Sequence, residues 1–182
     1  MSASIIDEIV AFWFETLKPE DWYRKNPAID AEITARFGAT YDALRTGVPP
    51  EWLAEPKDML AAIIVLDQFP RNMFRDDPRA FATDGAALAL AKRAISEGFE
   101  LRLPPEQRAF IYLPFQHAET AEDQARSIAL FTALGNPNNL DFAQRHQAII
   151  ARFGRFPHRN SVLGRASTAE ELAFLQEPGS SF

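Results

Sequence analysis

Helix-capping signals recur from one end of this chain to the other, and they limit its fold more than any other feature. Ser, Thr or Asn precedes several apolar segments, and Gly or Pro follows them. No stretch shows the sustained alternation of polar and apolar residues that is typical of a strand. The sequence therefore predicts an all-α fold with about seven or eight helices. The segment after Asn26-Pro27 illustrates the helical spacing, with apolar residues at Ile29, Ile33, Phe37 and Tyr41.

Proline and asparagine mark three helix boundaries in this prediction. An almost wholly apolar helix is expected to end near Phe69, because Pro70 lacks a backbone N–H and its ring crowds the preceding turn. Pro114 is expected to disturb a later helix. Asn138 or Asn139 is expected to open the helix before the last one. Short connections imply antiparallel neighbours, which leaves a compact bundle or a curved stack of helical hairpins open.

Length and composition indicate one globular domain. The chain has 182 residues, enough to bury a core, and we predict a single domain over residues 1–182. It has no cysteine, which excludes disulfides and thiolate chemistry and suits a reducing compartment. The longest uninterrupted apolar run, Leu60 to Leu66, is far too short for a membrane span. We expect a soluble, cytoplasmic protein.

The overall charge of the chain argues against two classes of partner. A net charge of -6 and a pI of about 5.1 make the average surface repel nucleic acid and anionic lipid. We therefore expect no nucleic-acid partner and no membrane partner. A site for an anion would therefore need a region of the chain with a local excess of positive charge.

Residues 142–169 provide such an exception. The span contains no acidic residue, and its positive charges are all arginine, whose planar fork suits carboxylate or phosphate. Two interpretations are open. The span forms a wall for an anionic ligand, or it pairs structurally with carboxylates such as Asp67, Glu119 and Asp123. The five arginines are Arg145, Arg152, Arg155, Arg159 and Arg165.

The familiar catalytic and cofactor motifs are absent from the sequence. It contains no glycine-rich dinucleotide motif, no P-loop, no HExxH zinc motif and no GxSxG nucleophile elbow. The three histidines, His117, His146 and His158, are not spaced to bind a metal from one helix face. We therefore predict no metal and no cofactor, and the simpler interpretation of each histidine is a hydrogen-bonded, partly buried side chain.

Three polar strings stand out in the chain: DQFPRNMFR, LPFQHAE and FGRFPHRNSVLGR. In this order and spacing they resemble the bacterial family known as domain of unknown function nine-two-four. The start IVAFWFE and the segment AFATD fit it too, so the resemblance covers about Ile9 to Leu175. It implies an all-helical fold similar to tetratricopeptide-repeat superhelices, which favours a right-handed stack of antiparallel helical hairpins over the bundle. It implies no established activity.

Three functions are compatible with these residues. The first is a binding module with a polar Arg/His/carboxylate pocket for a small anionic ligand or peptide. The second is a hydrolase or lyase, in which His117, Glu119 or His158 performs acid–base catalysis. The third is a purely structural Asp/Glu–Arg–His lock. Enzymatic activity and oligomeric state are left open, and the candidate ligand-binding residues are Asp67, Arg71, Asn72, His117, Glu119, Phe156, His158 and Arg159.

Overall fold

The computed structural model of the chain describes residues 4–181, which form eight helices and no strand. The predicted all-α class and helix count are thus confirmed. No helix among these residues is long and apolar enough to cross a membrane. The helices are α1 (Ile5–Ala11, continued by the π-helical turn Phe12–Thr16), α2 (Pro27–Leu44), α3 (Pro56–Ile63, the π-helical turn Ile64–Gln68 and Phe69–Met73), α4 (Asp84–Ser96), α5 (Pro105–His117), α6 (Ala121–Leu134), α7 (Pro137–Phe153) and α8 (Ala169–Phe174).

Local capping explains where several of these helices begin. Thr120 accepts a hydrogen bond from the Asp123 N–H at the start of α6. Thr168 and Glu171 form a complete capping box at the start of α8, in which each side chain accepts from the other residue's N–H. Both contacts lie within four residues. The sequence pattern predicts the cap at Thr120, whereas for α8 it predicts a box of Ser167 and Glu170, one residue before the observed pair.

The start of α7 differs from the prediction of Asn138 or Asn139. Asn136 is the cap, and its side-chain oxygen accepts hydrogen bonds from the N–H groups of both predicted residues, at 3.0 and 3.2 Å. Pro137 then occupies the first turn, where a missing N–H costs nothing. The prediction was wrong by two or three residues, because three asparagines lie close together and each can cap a helix.

The predicted end of α3 near Phe69 is wrong, because the helix continues through Pro70 to Met73. The π-helical turn ends at Gln68, two residues before the proline, and its wider backbone reduces crowding by the ring. Pro70 offers no N–H to the Leu66 carbonyl four residues earlier. The Thr83 hydroxyl donates to that carbonyl instead, at 2.6 Å.

Pro114 does not interrupt its helix either. It lies inside α5, which continues to His117, so Pro114 does not end the helix. In both helices the proline is buried together with its neighbours. Side-chain packing around a buried helix thus outweighs the local cost of one missing hydrogen bond.

The chain divides into two compact units, the first of which comprises residues 4–75 and 79–114. Its helices α1, α2 and α4 pack against α3, whose residues from Met59 to Pro70 are buried. Aromatic contacts fill this core. The Phe69 ring stacks on Phe37 at 5.0 Å between centroids and meets the edge of Trp13 at 5.6 Å.

The second unit comprises residues 76–78 and 115–181. Helices α6 and α7 pack against each other, and the short connection through Gly135, whose φ is 77°, makes them antiparallel neighbours. Ile149, Ile150 and Phe156 form a buried apolar cluster beside them. The ring of Phe174 in α8 contacts Phe153 in α7 at 5.0 Å between centroids.

Substituting Thr83→Val tests the hydroxyl that replaces the missing N–H of Pro70. The variant keeps the shape of the side chain and leaves the buried Leu66 carbonyl without this donor, so we expect the free energy of unfolding to fall by about 1–3 kcal/mol. Urea denaturation measures the change. Thr83→Ser, which keeps the hydroxyl, is the matched control, and equal losses in the two variants would contradict this explanation.

Candidate functional site

A first polar cluster lies in the first unit, around Asp67. This carboxylate is fully buried at the π-helical turn of α3, and it accepts a hydrogen bond from the Gln68 side chain at 2.5 Å. The Arg71 guanidinium lies 3.5 Å from it and donates to the Asp67 backbone carbonyl. Arg71 also binds both oxygens of Asp84, at 2.9 and 3.0 Å.

Charge balance explains this arrangement. Burial lowers the pKa of Arg71, but Asp67 and Asp84 more than offset the burial and raise that pKa above its ordinary value. Asp67 is buried within α3 and therefore needs a cation, and Arg71 is such a cation. Because Arg71 is held by two carboxylates, it is placed as a structural partner rather than as an open anion ligand.

Asn72 lies in the same unit, but it contacts Asp30 rather than the Asp67 cluster. Its amide donates to Asp30 at 2.9 Å, and Arg75 donates to both oxygens of Asp30 at 2.6 and 2.8 Å. Asp30 lies in the first turn of α2, where a carboxylate is favoured by the helix dipole. Asn72 therefore ties the end of α3 to the start of α2. Sequence reasoning missed Asp30, whose local signal is an acidic residue in a first helical turn.

A second polar cluster lies in the second unit, and we call it the Glu119 clamp. It consists of Glu119, Asn160, Arg165 and the backbone of Phe156. Arg165 donates to both oxygens of Glu119, at 2.7 and 3.0 Å, and to the side-chain oxygen of Asn160 at 2.9 Å. The Phe156 N–H donates to Glu119 at 2.7 Å, and its carbonyl accepts from Arg165 at 3.0 Å.

The clamp fixes the ionisation of Glu119. Burial alone raises the pKa of this carboxyl, but the hydrogen bonds from Arg165 and the Phe156 N–H, together with the charges of Arg165 and Arg159, lower it below its ordinary value. Both oxygens of a stably charged Glu119 thus serve to hold the loop after α7. Arg165 was among the five arginines singled out in the sequence, but its partner was not evident there.

The other arginines of the 142–169 span show how its charge is balanced. Three of them form ion pairs with carboxylates just outside the span. The pairs are Arg145 with Asp141 at 2.7 Å, Arg152 with Glu170 at 2.9 Å and Arg155 with Glu171 at 2.6 Å. The hydrogen bonds from Arg155 and from the Thr168 N–H lower the pKa of Glu171 to about 2. Arg145, Arg152, Arg155 and Arg165 therefore take part in ion pairs within this unit.

The fifth arginine belongs to a group of rings that we call the histidine group: His117, His146, Phe156, His158 and Arg159. The Arg159 guanidinium lies 4.6 Å from the centre of the Phe156 ring. The same ring contacts His146 at 5.5 Å and His158 at 5.6 Å between centroids. His117, at the end of α5, lies 6.4 Å from His146.

The environment of His146 gives the histidine group its electrostatic character. Its Nδ1 lies 2.8 Å from the Phe142 carbonyl, which can only accept, so Nδ1–H is the donor. Burial, then the charges of His117, Arg159 and His158, lower the pKa of His146 to about 3, despite the opposing hydrogen bond to Phe142. His146 is therefore neutral at pH 7, in a region of positive potential.

The structure separates the predicted site residues into two sets. His117, Glu119, Phe156, His158 and Arg159 come together in the second unit. Of these, Phe156 is fully buried, Arg159 is 7% exposed, and the two histidines are half-buried. Sequence reasoning left His146 out of the site, although its apolar surroundings in α7 place it on the buried face. Across residues 4–181, no group of three or more His, Asp or Glu side chains is arranged to hold a metal ion. Asp67, Arg71 and Asn72 form the other set, in the first unit.

These observations define an all-helical protein in which ion pairs hold a loop that carries histidine and arginine side chains. The chain belongs to the family described as bacterial protein of unknown function (DUF924), which matches residues 9–179. A solved structure, the protein of unknown function ATU0120 from Agrobacterium tumefaciens, is 38% identical to it, with a TM-score of 0.89 over 96% of this chain and 98% of that chain. No curated protein matches the sequence.

Arg165→Gln tests the Glu119 clamp. The substitution leaves a largely buried carboxylate without its cation and releases the Phe156 carbonyl and Asn160, so we expect the free energy of unfolding to fall by about 2–3 kcal/mol. Arg145→Gln is the matched control, because it removes an exposed pair from the same span and should cost less than about 0.5 kcal/mol. Urea denaturation measures the free energy of unfolding of both variants. Similar losses in the two would show that the clamp stabilises the protein no more than an exposed ion pair does.

The low pKa of His146 predicts a pH dependence of stability. Below pH 6.5 the unfolded chain protonates this imidazole while the folded chain does not, so stability falls as the pH drops from about 6.5 towards 3 and is fully present above that window. We expect the slope to be up to about 1.4 kcal/mol per pH unit steeper in wild type than in His146→Gln. Urea denaturation at pH 7.5, 6.5, 5.5 and 5.0 measures both slopes. Parallel slopes would count against a neutral, buried His146.

Proposed function

We propose that this protein is a helical binding module whose histidine group takes a small anionic ligand. The observation that carries the proposal is the gathering of Arg159 and His158 on the ring of Phe156, with His146 on the same ring and His117 beside it. These side chains present N–H donors and positive charge from three separate parts of the chain. Such convergence on one buried ring is what a small anion needs for recognition.

Electrostatics in the second unit support an anion rather than a cation. His117, Arg159 and His158 each lower the pKa of His146, which means that each makes the region more positive. An anion placed there would offset this mutual repulsion. The net charge of the chain is -6, so the positive region is a local exception that favours an anion over other solutes.

The Glu119 clamp supports such a site without forming part of it. Because Arg165 and Glu119 hold both the N–H and the carbonyl of Phe156, the ring that carries Arg159 and His158 is fixed in place. A site fixed before the ligand arrives loses less conformational freedom on binding. The structural lock and the binding site, two separate hypotheses at the level of sequence, are thus compatible. We assign Asp67, Arg71 and Asn72 to a lock of the same kind in the first unit.

The hydrolase or lyase alternative has less support. It needs a carboxylate to orient an imidazole, and the carboxylates among the candidate site residues are Glu119 and Asp67. The oxygens of Glu119 accept from Arg165 and the Phe156 N–H, and Asp67 is bound by Gln68 and Arg71. A peptide in place of a small anion, a tetratricopeptide-like right-handed stacking of the helices and a cytoplasmic location stay proposals. The cysteine-free composition favours the last of these.

A thermal-shift and calorimetric screen with acetate, succinate, phosphate and sulfate tests the proposed function. We expect at least one anion to raise the melting temperature of wild type, and its affinity to fall about tenfold or more in Arg159→Gln, since a hydrogen bond to a charged group is worth roughly 1.5–3 kcal/mol. Arg145→Gln removes the same charge from an exposed position and should bind as wild type does. Equal losses in the two variants would indicate a general charge effect, and no binding by any anion would refute the site.

A further inference from the structure

We propose that α6 holds one buried water molecule between the side chains of Gln124 and Ser127. Both residues are fully buried in the second unit. Within residues 4–181, neither the Oε1 atom of Gln124 nor the Oγ atom of Ser127 has a hydrogen-bond partner. Buried polar atoms in native proteins nearly always have such a partner, and an ordered water serves where the protein supplies none. The inference does not depend on the proposed function.

The orientation of the Gln124 amide is fixed by contacts with the end of α5. Its Nε2 donates to the carbonyls of Gln116 and Ala118, each at 2.8 Å, and lies 3.4 Å from the Phe115 carbonyl. The last carbonyls of a helix have no donor within the helix, so this side chain supplies one. Turning the amide over would place Oε1 against these carbonyl oxygens, acceptor against acceptor. Oε1 therefore faces away from the end of α5 and needs a donor of its own.

Ser127 supplies the second contact of the proposed site. It lies three residues after Gln124 in α6, and side chains with this spacing share one helix face, with their Cβ atoms about 5–6 Å apart. Its hydroxyl donates neither to Oε1 of Gln124 nor to a carbonyl of its own helix within the described residues. A water can donate to Oε1 and also form a hydrogen bond with this hydroxyl, which is both a donor and an acceptor.

Burial and charge together identify water as the ligand. Neither side chain has exposed surface, so the ligand has to be small. Both groups are uncharged, so an ion at this position would lose its hydration without gaining an opposite charge from them. A water needs only about 10–15 Å³ of space, and serine is one of the smallest side chains. The water would complete the hydrogen bonding of Gln124, which holds the end of α5 directly before Glu119.

A high-resolution crystal structure of the whole protein tests the site directly. We expect density for one ordered water within about 2.5–3.2 Å of both Oε1 of Gln124 and Oγ of Ser127. Density for no water between these atoms would overturn the proposal. A Ser127 hydroxyl that donates directly to Gln124, or to a carbonyl of the preceding turn of α6, would overturn it too.

Oxygen-17 magnetic relaxation dispersion tests the same site in solution, because it counts the internal waters that exchange slowly with solvent. Ser127→Val removes the hydroxyl, and its larger side chain fills the position of the water, so we expect this variant to hold one internal water fewer than wild type. Ser161→Val is the matched control, since it changes an exposed serine of the same unit and should leave the count as it is in wild type.

Equal counts in wild type and Ser127→Val would overturn the proposal, and so would an equal loss in both variants. If Ser127→Val does not fold, the density in the wild-type crystal structure decides, because that measurement needs no variant. Neither result changes the standing of the anion site, whose residues are not altered in these variants.

Discussion

A charge that is taken out of water in a small helical protein needs an opposite charge or several hydrogen bonds, and the second unit depends on one such arrangement. Arg165 binds both oxygens of Glu119, the amide of Asn160 and the carbonyl of Phe156. These groups come from the segment after α5 and from both ends of the loop after α7. One guanidinium therefore fixes a stretch that has little regular secondary structure of its own, and the ring of Phe156 takes its position from that stretch.

The first unit meets the same requirement in a different way. There the carboxylate, Asp67, is the more deeply buried partner, and Arg71 brings in Asp84 as a second one. The result is a group of opposite charges, whereas in the histidine group of the second unit a guanidinium and two imidazoles contact one buried aromatic ring. This contrast explains why two strings that look alike in the sequence, FPRN and FPHRN, lead to a lock in one unit and to a proposed site in the other.

Much of the fold follows from contacts between residues close in sequence, and these could be predicted. The cap at Thr120 is an example, because both partners of its hydrogen bond lie within one turn. The passage of α3 through Pro70 could not be predicted, since the compensating hydroxyl of Thr83 lies 17 residues away from Leu66.

The candidate site shows the same division between local and distant contacts. Polar motifs indicated Glu119, His158 and Arg159. The sequence does not show, however, which of the five arginines in the 142–169 span binds which carboxylate. Only the folded chain shows that Arg165 binds both oxygens of Glu119, across 46 positions. His146 was missed for a related reason. The residues next to a histidine in a helix do not show whether its ring is only packed in the core or also lies beside a site.

The hydrogen bond from Thr83 to Leu66 links two substitutions across the family. A hydroxyl at position 83 is needed there because position 70 is proline, so the two positions are expected to change together as the sequence diverges. A relative with alanine in place of Pro70 regains a backbone donor for that carbonyl and can lose the hydroxyl at little cost. Across diverging members of the family, we therefore expect the residues at positions 70 and 83 to be inherited as a pair.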